Sequence, residues 1–437
     1  MRFPGALLST AVLALALPAA AIDFHDVRSL AAAALENNPT ILRLQAEVDA
    51  ARERARSASA QPNPMLMAGV QDKQIDLSDD EMMTMYMVGA QQTFTSGDKR
   101  RARRSIAELQ ARAMEQSIVT ARAEIERDVL LAWYDAASAD SQISASEQVR
   151  ALVEAIIGAA RIRYEVGDAI QADVIRAQLE KSNLEHEILT LTGVREAAVA
   201  RLLSLLDLPA ETSVPRLHLP HESAREEIDR ARTPSPDHPA LAAVQAEMAS
   251  QEEAIRLARL ASRPDIGLEA SYGYRRTEMD MFSVVATIEL PVRRGSTIEP
   301  QIREAVATRE SARLRLAEIR RALNGALAVA FAVHRQANEQ LRLHEQVLVP
   351  QARLAFESTL TAYQSGKASF DSVLAAESTY LRLQLDYYQY LAQHIKAIVD
   401  FEAIHKGATA AAVAPSAARA SGASPGATAT TSSMGGM

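Results

Sequence analysis

The 437-residue chain has no cysteine, 47 basic and 55 acidic residues and a net charge of −8; 48% of it is hydrophobic but only 4% aromatic. That balance suits long helices with closely approaching axes better than a large globular core. The charge speaks against a nucleic-acid partner, which needs a basic face to displace counterions. The missing thiols exclude disulfides, thiolate zinc centres, catalytic cysteines and a lipidated N-terminal cysteine.

Residues 1–21 read as a signal peptide. Arg2 precedes an apolar run from Ala6 to Leu17, then Pro18 and Ala19-Ala20-Ala21, with cleavage expected before Ile22. The run is shorter than the ~20 residues a spanning helix needs. The mature chain is therefore expected to leave the cytoplasm without a transmembrane helix.

A first repeat is expected over 22–206. A helix from Pro39 to about Ser59 stops at Pro62-Asn63-Pro64, because proline lacks a backbone donor and restrains the residue before it. A hairpin follows over 65–94, with Leu66, Ala68, Val70, Tyr86, Val88 and Ala90 on one face and a loop through Asp76 to Glu81. From Gly97 to Gly167 a helical segment extends ~105 Å, interrupted at Gly158. Its seam of Met114, Ile118, Ala121, Ile125, Val129, Ala132, Ala136, Ala139 and Ile143 has coiled-coil spacing. A returning helix runs from Asp168 to about Leu206, and 207–237 forms a Pro-rich crossover.

The second repeat, 238–406, has the same order. A helix covers Pro239 to Ser262, and a hairpin over 266–291 alternates Ile266, Leu268, Ala270, Tyr272 and Tyr274, then Phe282, Val284, Ala286, Ile288 and Leu290, with mostly polar residues. A long helical segment from Gly295 to Gly366 carries Gly325 and an expected kink at Pro350. A last helix from Ala368 to about His405 is closed by Gly407. The Ala-, Ser- and Gly-rich tail 407–437 is expected to be disordered. By length, the Asp168–Leu206 and Pro239–Ser262 helices are expected to stack end to end beside the long helix, and the C-terminal helix on the one from Pro39.

The repetition itself is specific. Asn38-Pro39, Gln45-Ala46-Glu47 and Pro64 recur as His238-Pro239, Gln245-Ala246-Glu247 and Pro264, each 200 positions later, and Tyr164-x-x-Gly167-x-Ala169 recurs as Tyr363-x-x-Gly366-x-Ala368. Four strands cannot close a barrel alone, and an open edge cannot face lipid, so the chain must oligomerise.

These features resemble the TolC-type outer-membrane factor (outer membrane efflux protein) family over about residues 26–406. The carriers are Asn37-Asn38-Pro39, the strand exit Gln91 to Lys99, and the two turns continued by Asp173-Val174-x-x-Ala177 and Val373-Leu374-x-Ala376. The resemblance implies a mainly α fold with a small β-barrel portion: a duplicated coiled-coil tunnel and a twelve-stranded barrel made by a homotrimer. It implies an efflux channel in the outer membrane of a Gram-negative bacterium, with a long periplasmic portion and outer-membrane lipid around its strands. A periplasmic adaptor (membrane fusion) protein and an inner-membrane efflux pump would be its partners. Adaptor docking would fall on Val166, Gly167 and Asp168 and on Ser365, Gly366 and Lys367. The family's acidic lumenal positions read Ser372 and Ala375 here, with Asp371 displaced by one.

No nucleophile elbow, phosphate loop or HExxH appears, so neither an enzyme nor a cofactor is implied. His218-x-x-His221 reads as a solvated pair, and Arg100, Arg101, Arg103 and Arg104 as a solvated helix start that can meet lipid headgroups. Met65, Met67, Met82, Met83, Met85 and Met87 crowd one hairpin, and Met279 and Met281 lie at the other turn. With Leu66 and Tyr86 facing lipid, parity sends Met67, Met85 and Met87 to the lumen. There they either fill a narrow pore or guide soft ions such as Cu(I), which would place the chain in the heavy-metal branch. Two other readings compete with the duct. A porin would spend its residues on strands, and a coiled-coil adaptor or scaffold leaves the hairpins unexplained.

Overall fold

The computed structural model describes residues 23–71, 84–220, 233–276 and 278–413. The signal peptide, Met82, Met83, the Asp76–Glu81 loop and His221 lie outside them. In chain order the elements are α1 (Val27–Glu36), α2 (Pro39–Ser57), β1 (Met65–Gln71), β2 (Met85–Phe94), α3 (Gly97–Glu165), α4 (Gln171–Leu205) and α5 (Pro239–Leu260). Then come β3 (Ile266–Arg275), β4 (Met281–Ile288), α6 (Arg294–Leu343), α7 (Val349–Gln364), α8 (Phe370–Lys406) and α9 (Ala410–Val413). Repeated Asn/His-Pro pairs start α2 and α5 alike. The Asn38 and His238 side chains accept from the N–H groups of Thr40 and Ala240, and proline follows where no donor is needed.

Helix α3 runs unbroken for 69 residues, about 100 Å, straight through Gly158. Helix α6 likewise contains Gly325, and also Pro300. The expected interruption at glycine does not occur, because one Gly costs a helix only ~1 kcal/mol and flanking helices hold it in place. Where a kink was expected near Pro350, a π-helical turn, His344–Leu348, joins α6 to α7 and absorbs the hydrogen bond proline cannot make.

The strands form one antiparallel sheet in the order β1-β2-β3-β4. The hairpins of the two repeats are fused by β2 and β3, with Val88 opposite Tyr272 and Tyr86 opposite Tyr274. One face carries Leu66, Val70, Tyr86, Val88, Tyr272, Tyr274, Phe282 and Val284, all exposed. Strand β4 ends at Ile288, short of the expected Leu290, because Pro291 cannot continue a ladder.

The helix stacking differs from expectation. The C-terminal end of α8 abuts α5: a Cβ at Gly407 would clash with the Pro239 ring, and Leu241, Phe401 and Ile404 share one buried cluster. The end of α4, through Leu202 and Leu203, instead packs with Leu30, Ala31 and Ala34 of α1, which leads into α2. Length alone cannot distinguish these pairings, since α2 and α5 are of similar length.

Midway along α3 nearly every residue from Ala132 to Ser146 is buried, against α1, α4, α8 and the crossover. The crossover is tied down: Arg195 Nε and the Leu217 amide both donate to the Asp140 carboxylate, at 2.7 and 2.9 Å. Trp133 Nε1 donates to the Phe24 carbonyl at 2.7 Å. The first residues of the expected tail are ordered: Ala408 is buried, the Thr409 hydroxyl and amide bond Glu124, and α9 follows; 414–437 lie outside the described residues.

Candidate functional site

The tips of the helical hairpins are built by two equivalent turns. Gly167 and Gly366 have φ of 82° and 75°, conformations that a side chain on an L residue disfavours. Each turn is a Schellman closure. The Asp168 amide donates to the Arg163 carbonyl at 2.8 Å and that of Gly167 to Tyr164 at 3.1 Å. The Lys367 amide donates to Ala362 at 2.8 Å and that of Gly366 to Tyr363 at 3.0 Å. Val166, Gly167, Asp168, Ser365, Gly366 and Lys367 are all exposed. Nothing lies within reach of a Cβ at Gly167, so backbone conformation rather than crowding requires glycine there.

The two tips are joined through residues that sequence reasoning missed. Arg163 donates through Nη1 to the Tyr363 carbonyl at 2.6 Å and through Nη2 to the Asp168 carbonyl at 3.3 Å, and its guanidinium lies 4.6 Å from the Tyr363 ring centre. Tyr363 is buried against Phe370, whereas its repeat equivalent Tyr164 is 46% exposed. The repeat pattern marks both tyrosines but cannot tell which has neighbours. Asp371 is exposed and pairs with Arg176 of α4 at 2.6 Å.

About two turns into α8 from the tip, Glu377 is fully buried and neither carboxylate oxygen has a partner. Burial, followed by the nearby Glu180 charge, pushes its pKa from 4.5 to about 8. It follows Phe370 and Val373 along one face of α8, toward a cluster that includes Val153 and Ile156 of α3 and Ala177 and Leu184 of α4.

At the other end of α3, ion pairs that sequence reasoning did not anticipate fasten the strand exits. The buried Lys99 Nζ meets Asp265 at 3.0 Å, and Asp98 is paired with both Arg101 and Arg263. The basic run is thus partly structural: Arg100 donates to the Ser59 carbonyl and Arg104 pairs with Glu108. On the sheet, Met67, Met85 and Met87 share the face opposite Leu66 and Tyr86, as alternation requires. Met281 is the first residue of β4 rather than part of the turn, and joins the same face; Met279 stays in the turn, 90% exposed.

The histidines are less scattered than the sequence suggests, since the rings of His334 of α6 and His394 of α8 meet at a tilt of 31° with centres 4.6 Å apart. His218 is exposed. Among the described residues no group of three or more His, Asp or Glu is arranged to hold a metal ion, and no helix is long and apolar enough to cross a membrane.

This arrangement of fused hairpins and long helical hairpins is shared with solved structures. The chain is similar to the outer membrane protein VceC of Vibrio cholerae, with 18% identity, 87% of this chain and 96% of that chain covered and a TM-score of 0.73. It is similar to the MtrE outer membrane channel of Neisseria gonorrhoeae, solved in an open state, with 17% identity, 88% and 89% covered and a TM-score of 0.74. The CmeC outer membrane channel of Campylobacter jejuni gives 13% identity, 91% and 88% covered and a TM-score of 0.69. Comparison with curated proteins by sequence found no match. The family model described as outer membrane efflux protein matches residues 30–207 and 236–404. The chain therefore belongs to the outer membrane efflux protein family, and is an efflux channel of the Gram-negative outer membrane with a periplasmic helical extension rather than an enzyme.

Proposed function

We propose that three copies of this chain close a twelve-stranded barrel and serve as the exit duct of a tripartite system. An inner-membrane pump would deliver cargo through a periplasmic adaptor docked on the tips at Val166–Asp168 and Ser365–Lys367. The observation that carries the reading is the sheet: one face is apolar apart from Gln92, while β1 and β4 are its terminal strands. In hydrocarbon each backbone donor and acceptor needs a partner, so β1 must meet β4 of a neighbouring copy. Chemical crosslinking in native membranes, followed by mass measurement, should give a species of three chains. A stable monomer in detergent with no larger species in membranes overturns the reading.

Heavy-metal cations are the cargo this reading favours, because the face opposite the lipid-facing side chains carries Met67, Met85 and Met87, and thioether sulfur suits soft ions. Deleting the protein should sensitise cells to copper and silver. Unchanged metal tolerance with new sensitivity to organic toxins assigns the duct to another cargo.

A further inference from the structure

Met87 has a glycine on either side. In the register of the sheet, Gly69 of β1, Met87 of β2, Gly273 of β3 and Met281 of β4 form one cross-strand row. Strands lie ~4.8 Å apart, so Met87 and Met281 flank the side-chain position that Gly273 leaves vacant. Met85, diagonal to Gly273 across the β2–β3 pair, turns into that vacancy: a Cβ built on Gly273 would overlap its sulfur and its Cγ. Glycine weakens a strand interior and often marks the close approach of another group. Here that group is a thioether.

We propose that Met85, Met87 and Met281 form a thioether site for a soft monovalent cation, Ag(I) or Cu(I), seated over Gly273 on the inner face of the sheet. The proposal rests on reading that face as the inside of the duct. Met85 is 8% exposed and anchors the site, Met87 is half-buried, and Met281 is 43% exposed, which leaves an approach from the face. The ligands are three neutral sulfurs without a carboxylate. That excludes hard cations, which require oxygen, and suits ions that bond thioethers. Arg275, opposite Met85 on the same face, is paired with Glu278 at 2.9 Å, which offsets its charge. Uncharged ligands hold an ion weakly enough to release it, as conduction demands.

The test uses the full-length protein purified in detergent and titrated with Ag(I), with affinity read by calorimetry and the neighbours of silver by X-ray absorption. The parent should show sulfur neighbours. The M85L/M87L/M281L variant keeps side-chain volume and should lose at least tenfold in affinity, whereas M65L/M279L should match the parent. Gly273→Ala, which displaces the Met85 sulfur while leaving every methionine in place, should also weaken binding. Equal Ag(I) affinity in the parent and the correctly assembled triple variant overturns the site. The outcome is separable from that of the cargo reading: silver binding to the pure protein, with no metal sensitivity on deletion, retains the site and rejects the cargo.

Discussion

Arg163, near the end of α3, donates to the backbone carbonyl of Tyr363, near the end of α7, across a 2.6 Å hydrogen bond. The same side chain caps its own turn at the Asp168 carbonyl and covers the Tyr363 ring. One guanidinium thus holds the two tips in fixed relation, and its several directed donors make it hard to replace.

Arg163→Ala should loosen both tips together. Loss of a charge-assisted hydrogen bond and a cation–π contact is worth about 2 kcal/mol, enough to raise local hydrogen exchange by roughly thirtyfold in the turns around Gly167 and Gly366. Arg163→Lys should restore little of it, since an ammonium lacks the planar fork. Unchanged exchange at the Gly366 turn in the Ala variant argues that the contact carries no coupling.

Gly167→Val and Gly366→Val force a β-branched residue into a positive φ, a cost of about 1–3 kcal/mol confined to the turn. Together with Asp168→Lys and Lys367→Glu, they should abolish export while leaving outer-membrane abundance near normal, because the strands lie about 100 Å of helix away. Export assays paired with membrane fractionation check this. Normal export, or failure to accumulate, removes the basis for adaptor docking at the tips.

Glu377 sets a pH dependence. Burial and the Glu180 charge raise its pKa from 4.5 to about 8, so the folded chain keeps a proton that the unfolded chain releases. The stabilising contribution of that proton is complete below about pH 4.5 and is lost as pH rises toward about 8. Glu377→Leu removes the term, a difference on the order of a few kcal/mol at neutral pH. Thermal unfolding followed by circular dichroism should give a midpoint that falls less between pH 5 and pH 8 in the variant than in the parent. Parallel profiles would falsify the assignment.

Asp140→Ala should destabilise the packing around the middle of α3 by about 2–3 kcal/mol, because it leaves the buried Leu217 amide without its acceptor. Arg195 retains the Val214 and Pro215 carbonyls, so the loss should fall on the crossover. Limited proteolysis ought to cut the variant near residues 207–220 first; a parent-like pattern counts against the role of the strap.

The sequence by itself determined what depends on near neighbours. Alternation set the faces of β1 to β4, Asn38-Pro39 and His238-Pro239 set two helix starts, and Gly167 and Gly366 set the turns, each through a local backbone preference. Only the tertiary structure decided which helices stack, because α5 and α2 fit either gap by length and the choice lies in side-chain packing such as that of Gly407 against Pro239. It alone brought Arg163 to Tyr363, Asp140 to Leu217 and Met281 to the row of Met87. These partners lie tens to hundreds of residues apart, and no periodicity carries their meeting: it follows from the direction in which whole elements pack once their apolar faces are buried.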